Sequence, residues 1–437
     1  MNYFFSRLKN ELGLLLPFIF FVNIILTGLA ASYLAVKQMY WVASILLLLL
    51  FFSKKRVLKF AFNSQVVLLS FIFYLAINWL FITQNVELKT IAVKDYLIPT
   101  AVALFATQIY LSASNYQYFY RCLRGLVFVQ LPFVILQFFI TARNSPLREF
   151  DWDMISGTFG FNAAGGGGNS SGLLIFLCYF CCLAIKKMKL IGATKMDYLA
   201  VGTSLMCVSM METKVAIMLI PLIILSSSSK KELVNPIVIF KYSVLLLVIF
   251  AGLLINYNSN FSTGAREGRT LIEYVGDINE SYFKEDVINY DTGEVSRQLG
   301  NRIWLTHNID RDGITFNTLF GYGLTSSKIS PARDIAAINI PTNVNFASTQ
   351  TTIYLWDIGI VGVFILFAFM MVKGYEIFRI KAKTPYEAIF RSGALFLIPS
   401  FLLFSIYSTT THVNPITFTV FLFLLMTNFK DYQRGSL

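Results

Sequence analysis

Long apolar runs fill most of this chain, and one predominantly polar stretch, residues 257–346, interrupts them. Hydrophobic residues occupy 56% of the 437 positions and charged residues only 14%. A water-soluble fold cannot bury so large an apolar fraction, so the bilayer must serve as the solvent for most of the chain. We therefore predict an all-α integral membrane protein whose polar stretch lies outside the bilayer.

The apolar runs predict about twelve membrane-spanning helices. They lie near 14–34, 39–52, 66–82, 97–112, 124–141, 171–186, 197–210, 214–228, 237–256, 348–372, 388–408 and 412–429. This division places transmembrane helices in 1–256, a large, partly helical extracytoplasmic loop at 257–346 between spans nine and ten, and the last transmembrane helices in 347–437. The loop is rich in arginine, and we expect functional residues there.

The distribution of Lys and Arg orients these helices. Of the 36 basic residues, 22 fall on one side of the predicted membrane and six fall in the short connections opposite. Cytoplasmic connections carry the excess of positive charge, so we expect both termini in the cytoplasm and 142–170 and 257–346 outside it. The same placement explains the net charge of +12, and we expect no nucleic acid partner. All five cysteines lie outside 257–346, which argues against a disulfide framework or a zinc site.

Two shorter features also lie on the expected outer side. The glycine run 165–168 precedes a predicted helix start, where Asn169 or Ser170 can cap the helix and free backbone N–H groups favour an anion. The alternative is a flexible turn that re-enters the membrane. Glu212 and Lys214 lie in a tight connection at the outer boundary, as an interfacial ion pair or as a site for an anionic lipid headgroup.

The polar stretch contains two sets of apolar residues at helical spacing. The first comprises Leu271, Tyr274, Val275 and Ile278, and the second comprises Leu299, Ile303, Trp304, Leu305 and Ile309. Both sets predict amphipathic helices that lie on the membrane or cap the bundle. Arg302 and Arg311 belong to the second helix or follow it, and a planar guanidinium group suits bidentate binding of phosphate. A solvated surface position is the alternative for each arginine.

Short motifs give the chain a resemblance to a known family. Gly-Asn-Arg-Ile-Trp at 300–304 and Phe-Gly-Tyr-Gly at 320–323 supply an arginine, a tryptophan two residues later and a downstream Gly-x-Gly. Gly-Thr-Phe-Gly at 157–160 and Thr-Ile-Tyr-Leu-Trp-Asp-Ile-Gly-Ile-Val-Gly at 352–362 extend the pattern. With these motifs the chain resembles the O-antigen polymerase and ligase superfamily (Wzy-type polymerases and O-antigen ligases). Glu-Thr-Lys at 212–214 occupies the place of a Ser-Arg-Gly-type motif, so Lys214 would replace an arginine.

The resemblance implies a bacterial enzyme that joins oligosaccharide repeat units carried on undecaprenyl diphosphate, at the outer face of the cytoplasmic membrane. The departing lipid diphosphate needs positive charge, and the accepting hydroxyl needs a base. The catalytic candidates are Arg302, Lys214, Glu212 and His412, with Asp357 and His307 as further candidates for the base. The substrate-binding candidates are Arg148, Arg311, Arg266, Arg269, Trp304, Tyr322 and Asn169.

The implied partners are the lipid-linked oligosaccharide, the bilayer and a chain-length regulator. We expect no cofactor and no metal, because no dense carboxylate cluster stands ready to hold a metal between phosphates.

Other functions stay open. An O-antigen ligase usually carries a histidine just before the stretch at 352–362, where this chain has Ser348, Thr349, Gln350 and Thr351, so a polymerase is favoured. A flippase or exporter of lipid-linked glycans would place ionisable residues at mid-membrane, and the predicted spans are nearly free of them. A receptor or an assembly scaffold is the remaining alternative.

Overall fold

The computed structural model of the chain describes residues 63–106, 113–142, 155–160, 168–211, 213–260, 297–311, 313–327, 349–379 and 381–407, with short pieces of 26–46, 288–295 and 420–425. These residues are almost entirely helical, which confirms the predicted all-α class. The strands among them are a short antiparallel pair, β1 (Ile288–Asn289) and β2 (Glu294–Val295).

The α-helices of the described part are numbered in chain order. They are α1 Asn63–Ile77, α2 Val86–Ala92, α3 Ile98–Ala106, α4 Ala113–Leu136, α5 Gly168–Leu190, α6 Lys195–Ser209, α7 Thr213–Ser227, α8 Lys230–Val234, α9 Pro236–Asn260, α10 Arg297–Leu305, α11 Phe316–Phe320, α12 Gln350–Arg379 and α13 Pro385–Tyr407. Wider π-helical turns extend α1 (Asn78–Ile82), join α2 to α3 (Val93–Leu97), extend α4 (Gln137–Ala142) and extend α10 (Thr306–Arg311).

Several of these helices can cross a membrane. Four stretches are long and apolar enough, namely Asn63–Ile82, Tyr116–Phe139, Gln350–Arg379 and Pro385–Ile406, and the shorter Ala216–Ser227 and Pro236–Gly252 are also apolar. The chain is therefore a helical membrane protein, and the count of twelve spans stays a prediction. The predicted spans near 14–34, 39–52 and 412–429 lie wholly or mostly outside the described residues.

Helix α5 forms the centre of the bundle. Its residues from Ser170 to Ala184 are buried on every face of the helix. The helix is enclosed by protein because α4, α6, α7 and α13 pack against it. Gly393 of α13 leaves room for the Tyr179 ring, because a Cβ there would lie only 2.5 Å from the ring carbon Cε2. This missing side chain lets α13 approach the central helix closely.

The helices run back and forth between two ends of the bundle. The loop end is the end that holds Ile82, Ala142, Gly168, Ser209, Thr213, Asn260 and Gln350. The basic end holds Asn63, Ala106, Ala113, Leu190, Lys195, Ser227, Pro236, Arg379 and Pro385. A contact between α1 and α12 at the basic end fits this alternation. The Ser64 backbone N–H at the start of α1 donates to Glu376 Oε1 near the end of α12 at 2.9 Å.

A buried ion network joins α4, α5 and α6 at the basic end. The Asp197 carboxylate caps α6, where Oδ2 accepts from the Thr194 backbone N–H at 3.0 Å and from its hydroxyl at 2.7 Å. Lys187 pairs with the same carboxylate, and Arg124 Nη1 lies 3.1 Å from Oδ1. The Tyr120 hydroxyl donates to Oδ1 at 3.0 Å. Because Asp197 is fully buried, these donors compensate for the cost of removing its charge from water.

Candidate functional site

The docked loop, residues 321–327, follows α11 and inserts at a break in α12. The break lies at Gly359, whose backbone (φ 65°, ψ −176°) is not helical. Gly321 (φ 83°) and Gly323 (φ 108°) also have positive φ angles. Side-chain-bearing residues rarely adopt such angles, so the Gly-x-Gly motif marks a place where this turn requires glycine.

Gly321 and Gly359 approach each other backbone to backbone. A Cβ on Gly359 would collide with the backbone nitrogen of Gly321, and a Cβ on Gly321 would collide with the carbonyl oxygen of Asp357. The Tyr322 N–H donates to the Trp356 carbonyl at 2.8 Å. The two glycines therefore let the loop reach backbone acceptors that the helix break has freed.

Polar side chains at the loop end of α1 bind the same region. The Asn78 side-chain amide donates to the Phe320 carbonyl at 2.8 Å, and its oxygen accepts from the Leu324 N–H at 3.1 Å. The Tyr74 hydroxyl donates to the Ile358 carbonyl at 2.5 Å. Irregular backbone next to a membrane span has to be satisfied by protein, and these side chains satisfy it.

Asp357 is the central acceptor of the docked loop. It is 1% exposed, and its Oδ1 accepts from the Ser327 N–H at 2.8 Å and from the Ser326 hydroxyl at 3.2 Å. Its Oδ2 accepts from the Tyr96 hydroxyl at 2.6 Å. Burial and the adjacent carboxylate raise the pKa of Tyr96, so the hydroxyl keeps its proton and donates. Because protein donors occupy both oxygens, Asp357 is poorly suited to the base role that the sequence suggested for it.

An aromatic cluster attaches α10 to the first turns of α12. Trp304 packs with Ile353 and Trp356, and both indole rings are buried. The Tyr322 ring lies 5.2 Å from Trp356, and its hydroxyl donates to Asn308 Oδ1 at 2.9 Å. The α10 helix is thus the predicted second amphipathic helix of the loop, and it caps the bundle.

Arg302 lies on the other face of α10. Residues two apart in an α-helix are separated by about 200° around the axis, so Trp304 facing inward turns Arg302 outward. Its side chain is exposed, and the rings of His307 and Tyr322 are half-buried with their centroids 6.1 Å apart. In the Arg-x-Trp motif, Trp304 therefore packs α10 against the bundle, and Arg302 stays exposed on the opposite face.

A second buried turn, residues 155–160, lies against α4. Gln137 Oε1 accepts from the N–H groups of Ser156 and Gly157 at 2.9 and 2.7 Å. Gln130 Oε1 accepts from the Thr158 N–H at 2.9 Å. Gln130 precedes the end of the helix at Ala142 by more than three turns, about 18 Å along the axis. The Gly-Thr-Phe-Gly motif therefore lies inside the bundle, beside Gln130 of the candidate span Tyr116–Phe139.

The polar residues that hold these turns come from the wider helical turns at the loop end. Asn78 and Gln137 each begin such a turn, Tyr96 lies within a third, and Asn308 lies within a fourth. In the described residues the wider turns of α1, α4 and α10 lie where these helices end, next to the docked loop or the buried turn. The wider turns therefore gather the polar side chains that bind the docked loop and the buried turn at this end of the bundle.

The chain matches no family model, and no curated protein matches it.

The described candidates for the site lie at the loop end. Arg302 is exposed, Trp304 is buried, and Tyr322 is half-buried in the cluster. Lys214 lies in the first turn of α7 and Asn169 in the first turn of α5, while Arg311 ends the turn after α10, and for these three residues the backbone alone is described. Glu212, His412, Arg148, Arg266 and Arg269 lie outside the described residues, as do Leu271, Tyr274, Val275 and Ile278 of the first predicted loop helix.

The structure adds residues that the sequence analysis did not single out. They are Tyr74, Asn78, Thr83, Asp95, Tyr96, Gln130 and Gln137. For Tyr74, Asn78, Gln130 and Gln137 the available signal was a polar side chain inside an apolar run, since such residues in membrane spans generally have a structural or functional partner. The residues Thr83, Asp95 and Tyr96 lie between the predicted spans, where this signal is missing. Asp95 is fully buried and pairs with Lys94 at 3.4 Å. Within the described residues, no group of three or more His, Cys, Asp or Glu side chains could hold a metal ion.

Proposed function

We propose that the chain is a polysaccharide polymerase that joins undecaprenyl-diphosphate-linked oligosaccharide units into O-antigen, capsular polysaccharide or exopolysaccharide. One observation carries the proposal. The motifs at 300–304, 320–323 and 352–362 are separated in sequence, yet Trp304, Tyr322 and Trp356 pack together at the loop end. Motifs that assemble in space from distant parts of a chain are better explained by one shared site than by chance similarity.

The proposed topology places the loop end outside the cytoplasm. It has twelve spans, both termini in the cytoplasm, and the basic end against the cytoplasmic face of the bacterial inner membrane. The basic end holds the buried Lys187, the half-buried Arg124 and the exposed Lys231 and Arg379, which agrees with the excess of positive charge expected on the cytoplasmic side.

The proposed reaction transfers a glycan from lipid diphosphate to a sugar hydroxyl. The bond between the anomeric carbon and the diphosphate oxygen breaks, and a bond from that carbon to the acceptor oxygen forms. The acceptor proton goes to a base, for which Glu212, His412 and His307 are the candidates. Arg302 and Lys214 stabilise the negative charge that develops on the departing diphosphate, with Arg148, Arg266, Arg269 and Arg311 as further phosphate ligands.

The remaining proposed contacts concern the sugars. The half-buried rings of Tyr322 and His307 offer faces on which a sugar can pack, while Arg302 is exposed on the other face of α10. Trp304 supports them from the buried side of α10, and Asn169 lies at the start of the central helix. We propose that the reaction requires neither metal nor cofactor, and that a chain-length regulator acts as a partner.

Reconstitution tests this proposal. The full-length protein in liposomes is incubated with its host's undecaprenyl-diphosphate repeat unit, with and without EDTA, and the glycan length is read by gel or mass spectrometry. We expect a ladder in both conditions. An unchanged repeat unit would contradict the proposal: transfer that appears only with an added non-identical acceptor would indicate a ligase, and movement of the lipid across the bilayer without transfer would indicate a flippase.

A further inference from the structure

Asp357 fastens a segment that is remote from it in sequence. Helix α10 continues through Thr306–Arg311 and α11 into the docked loop, and the loop ends at Ser326 and Ser327, which both donate to the Asp357 carboxylate. The third donor, Tyr96, comes from the turn between α2 and α3. One carboxylate of α12 therefore binds both the turn between α2 and α3 and the segment that bears Arg302.

We infer that Asp357, with Tyr96, is a positioning residue that holds α10 and its exposed Arg302 in place over the loop end. The positioning itself can be measured without any substrate. Only its consequence for glycan transfer rests on the proposed function.

A carboxylate fits this position better than a neutral side chain does. The described donors around Asp357 are a backbone N–H and hydroxyl groups, and no described Lys or Arg forms an ion pair with it. Burying a charge costs free energy, and charge-assisted hydrogen bonds from several donors offset that cost. An asparagine would keep one acceptor oxygen and turn an NH2 group toward the remaining donors, so it would hold the loop only in part.

One other attachment of α10 depends on the same loop. Tyr322, whose hydroxyl binds Asn308, directly follows Gly321 and donates its N–H to the Trp356 carbonyl at 2.8 Å. If the loop leaves the break in α12, Tyr322 leaves with it. Among the described contacts, α10 and its wider turn would then keep the packing of Ile303 and Trp304 on α12 and the contact of the His307 ring with Trp356, at 5.8 Å between centroids. They would lose the hydrogen bond from the Tyr322 hydroxyl to Asn308, which is the directional contact among these.

The test measures the distance between α2 and α10 by pulsed electron paramagnetic resonance. Spin labels are placed at Thr90→Cys and Asn301→Cys, both exposed positions outside the docked loop. Cys122, which is half-buried while the other cysteines are buried, is replaced by Ser to prevent its labelling. The variants Asp357→Ala, Asp357→Asn, Tyr96→Phe and Ser326→Ala are compared in the full-length protein in liposomes. Gln137→Ala is the matched control, because it removes a buried polar side chain that holds the other turn.

We expect a narrow distance distribution in the parent and in Gln137→Ala, a broad one shifted to longer distances in Asp357→Ala, and intermediate ones in Asp357→Asn and Tyr96→Phe. Glycan yield should fall about 10- to 100-fold in Asp357→Ala, because a small misplacement of a catalytic group has effects of that size. A parent-like distribution in folded Asp357→Ala would overturn the inference. If Asp357→Ala does not fold, parent-like distributions in both Tyr96→Phe and Ser326→Ala would overturn it instead.

The two proposals fail separately. A broadened distribution in the Asp357 variants, with no glycan made even by the parent, would uphold the positioning role and contradict the polymerase. If folded Asp357→Ala makes the same glycan ladder as the parent and keeps the parent's distance distribution, the positioning role is contradicted and the polymerase is upheld.

Discussion

Gly321 and Gly359 meet backbone to backbone at the loop end, and neither position has room for a Cβ. Both have positive φ angles, 83° and 65°. Through this contact a loop that lies outside the candidate spans enters the break of a helix that is long and apolar enough to cross a membrane. The contact explains in physical terms why the Gly-x-Gly motif and the stretch at 352–362 belong together.

The first prediction concerns the glycines of this contact. Gly359→Ala and Gly321→Ala should each destabilise the protein by about 2–5 kcal/mol, because a Cβ meets backbone and the φ angle disfavours alanine. Thermal unfolding in detergent measures the change. Gly202→Ala in α6 is the control, because a Cβ there meets nothing within 4 Å and alanine favours the helix. Equal unfolding midpoints for all three variants would refute the close approach.

The second prediction concerns the buried turn at 155–160. Gln137→Ala leaves the N–H groups of Ser156 and Gly157 without their described acceptor, and each buried unsatisfied group costs about 1–3 kcal/mol. We expect faster hydrogen exchange at these two amides, measured by mass spectrometry, together with a lower unfolding midpoint. Gln298→Ala, at an exposed position of α10, should change neither. Unchanged exchange in Gln137→Ala would mean that the turn does not depend on this side chain.

The third prediction concerns the ion network at the basic end. Asp197→Ala leaves the buried Lys187 without its carboxylate, and breaking a buried ion pair from one side costs about 3–5 kcal/mol. Glu232→Gln removes a partly exposed pair with Lys189, at 3.2 Å, and should cost less than about 1 kcal/mol. Unfolding midpoints of both variants, measured side by side, decide the point. A larger fall in the unfolding midpoint for Glu232→Gln than for Asp197→Ala would be incompatible with the buried network.

The fourth prediction concerns Arg302. Arg302→Ala should lower glycan transfer about 10²- to 10³-fold, the range seen when one preorganised charge stabiliser is removed, and Arg302→Lys should recover part of it. Stability should change little, because the side chain is exposed. Initial rates with the lipid-linked repeat unit, alongside the unfolding midpoint, separate the two effects. Asn301→Ala, the exposed neighbour, is the control, and equal rates in Arg302→Ala and Asn301→Ala would remove Arg302 from the site.

The helices were predictable because their physical cause is local. An apolar run long enough to span a bilayer becomes a helix whatever surrounds it, and the runs near 66–82, 124–141 and 388–408 fall within α1, α4 or α13 and their wider turns, apart from the last residue of the third run. Helix α10 was also predictable, since Leu299, Ile303 and Trp304 lie at helical spacing.

The hydrogen-bond partners of the polar residues were not predictable, because they lie far away in the sequence. Asn78 binds Phe320 and Leu324, and Tyr96 binds Asp357, across hundreds of residues. In the sequence Asn78 is a single polar residue between apolar neighbours and Tyr96 directly follows Lys94 and Asp95, and no periodicity reveals what either residue faces. The break at Gly359 was hidden for the same reason, because only the approach of Gly321 shows why α12 cannot continue there as a regular helix.

The most direct test of the proposed polymerase counts its products. Purified full-length protein in liposomes receives the lipid-linked repeat unit, and the released undecaprenyl diphosphate is measured against the glycosidic bonds formed. We expect one undecaprenyl diphosphate for each new bond, with both products lost together in Arg302→Ala. A folded protein that moves the lipid-linked unit or binds it, yet releases no undecaprenyl diphosphate and forms no bond, would contradict the proposed polymerase.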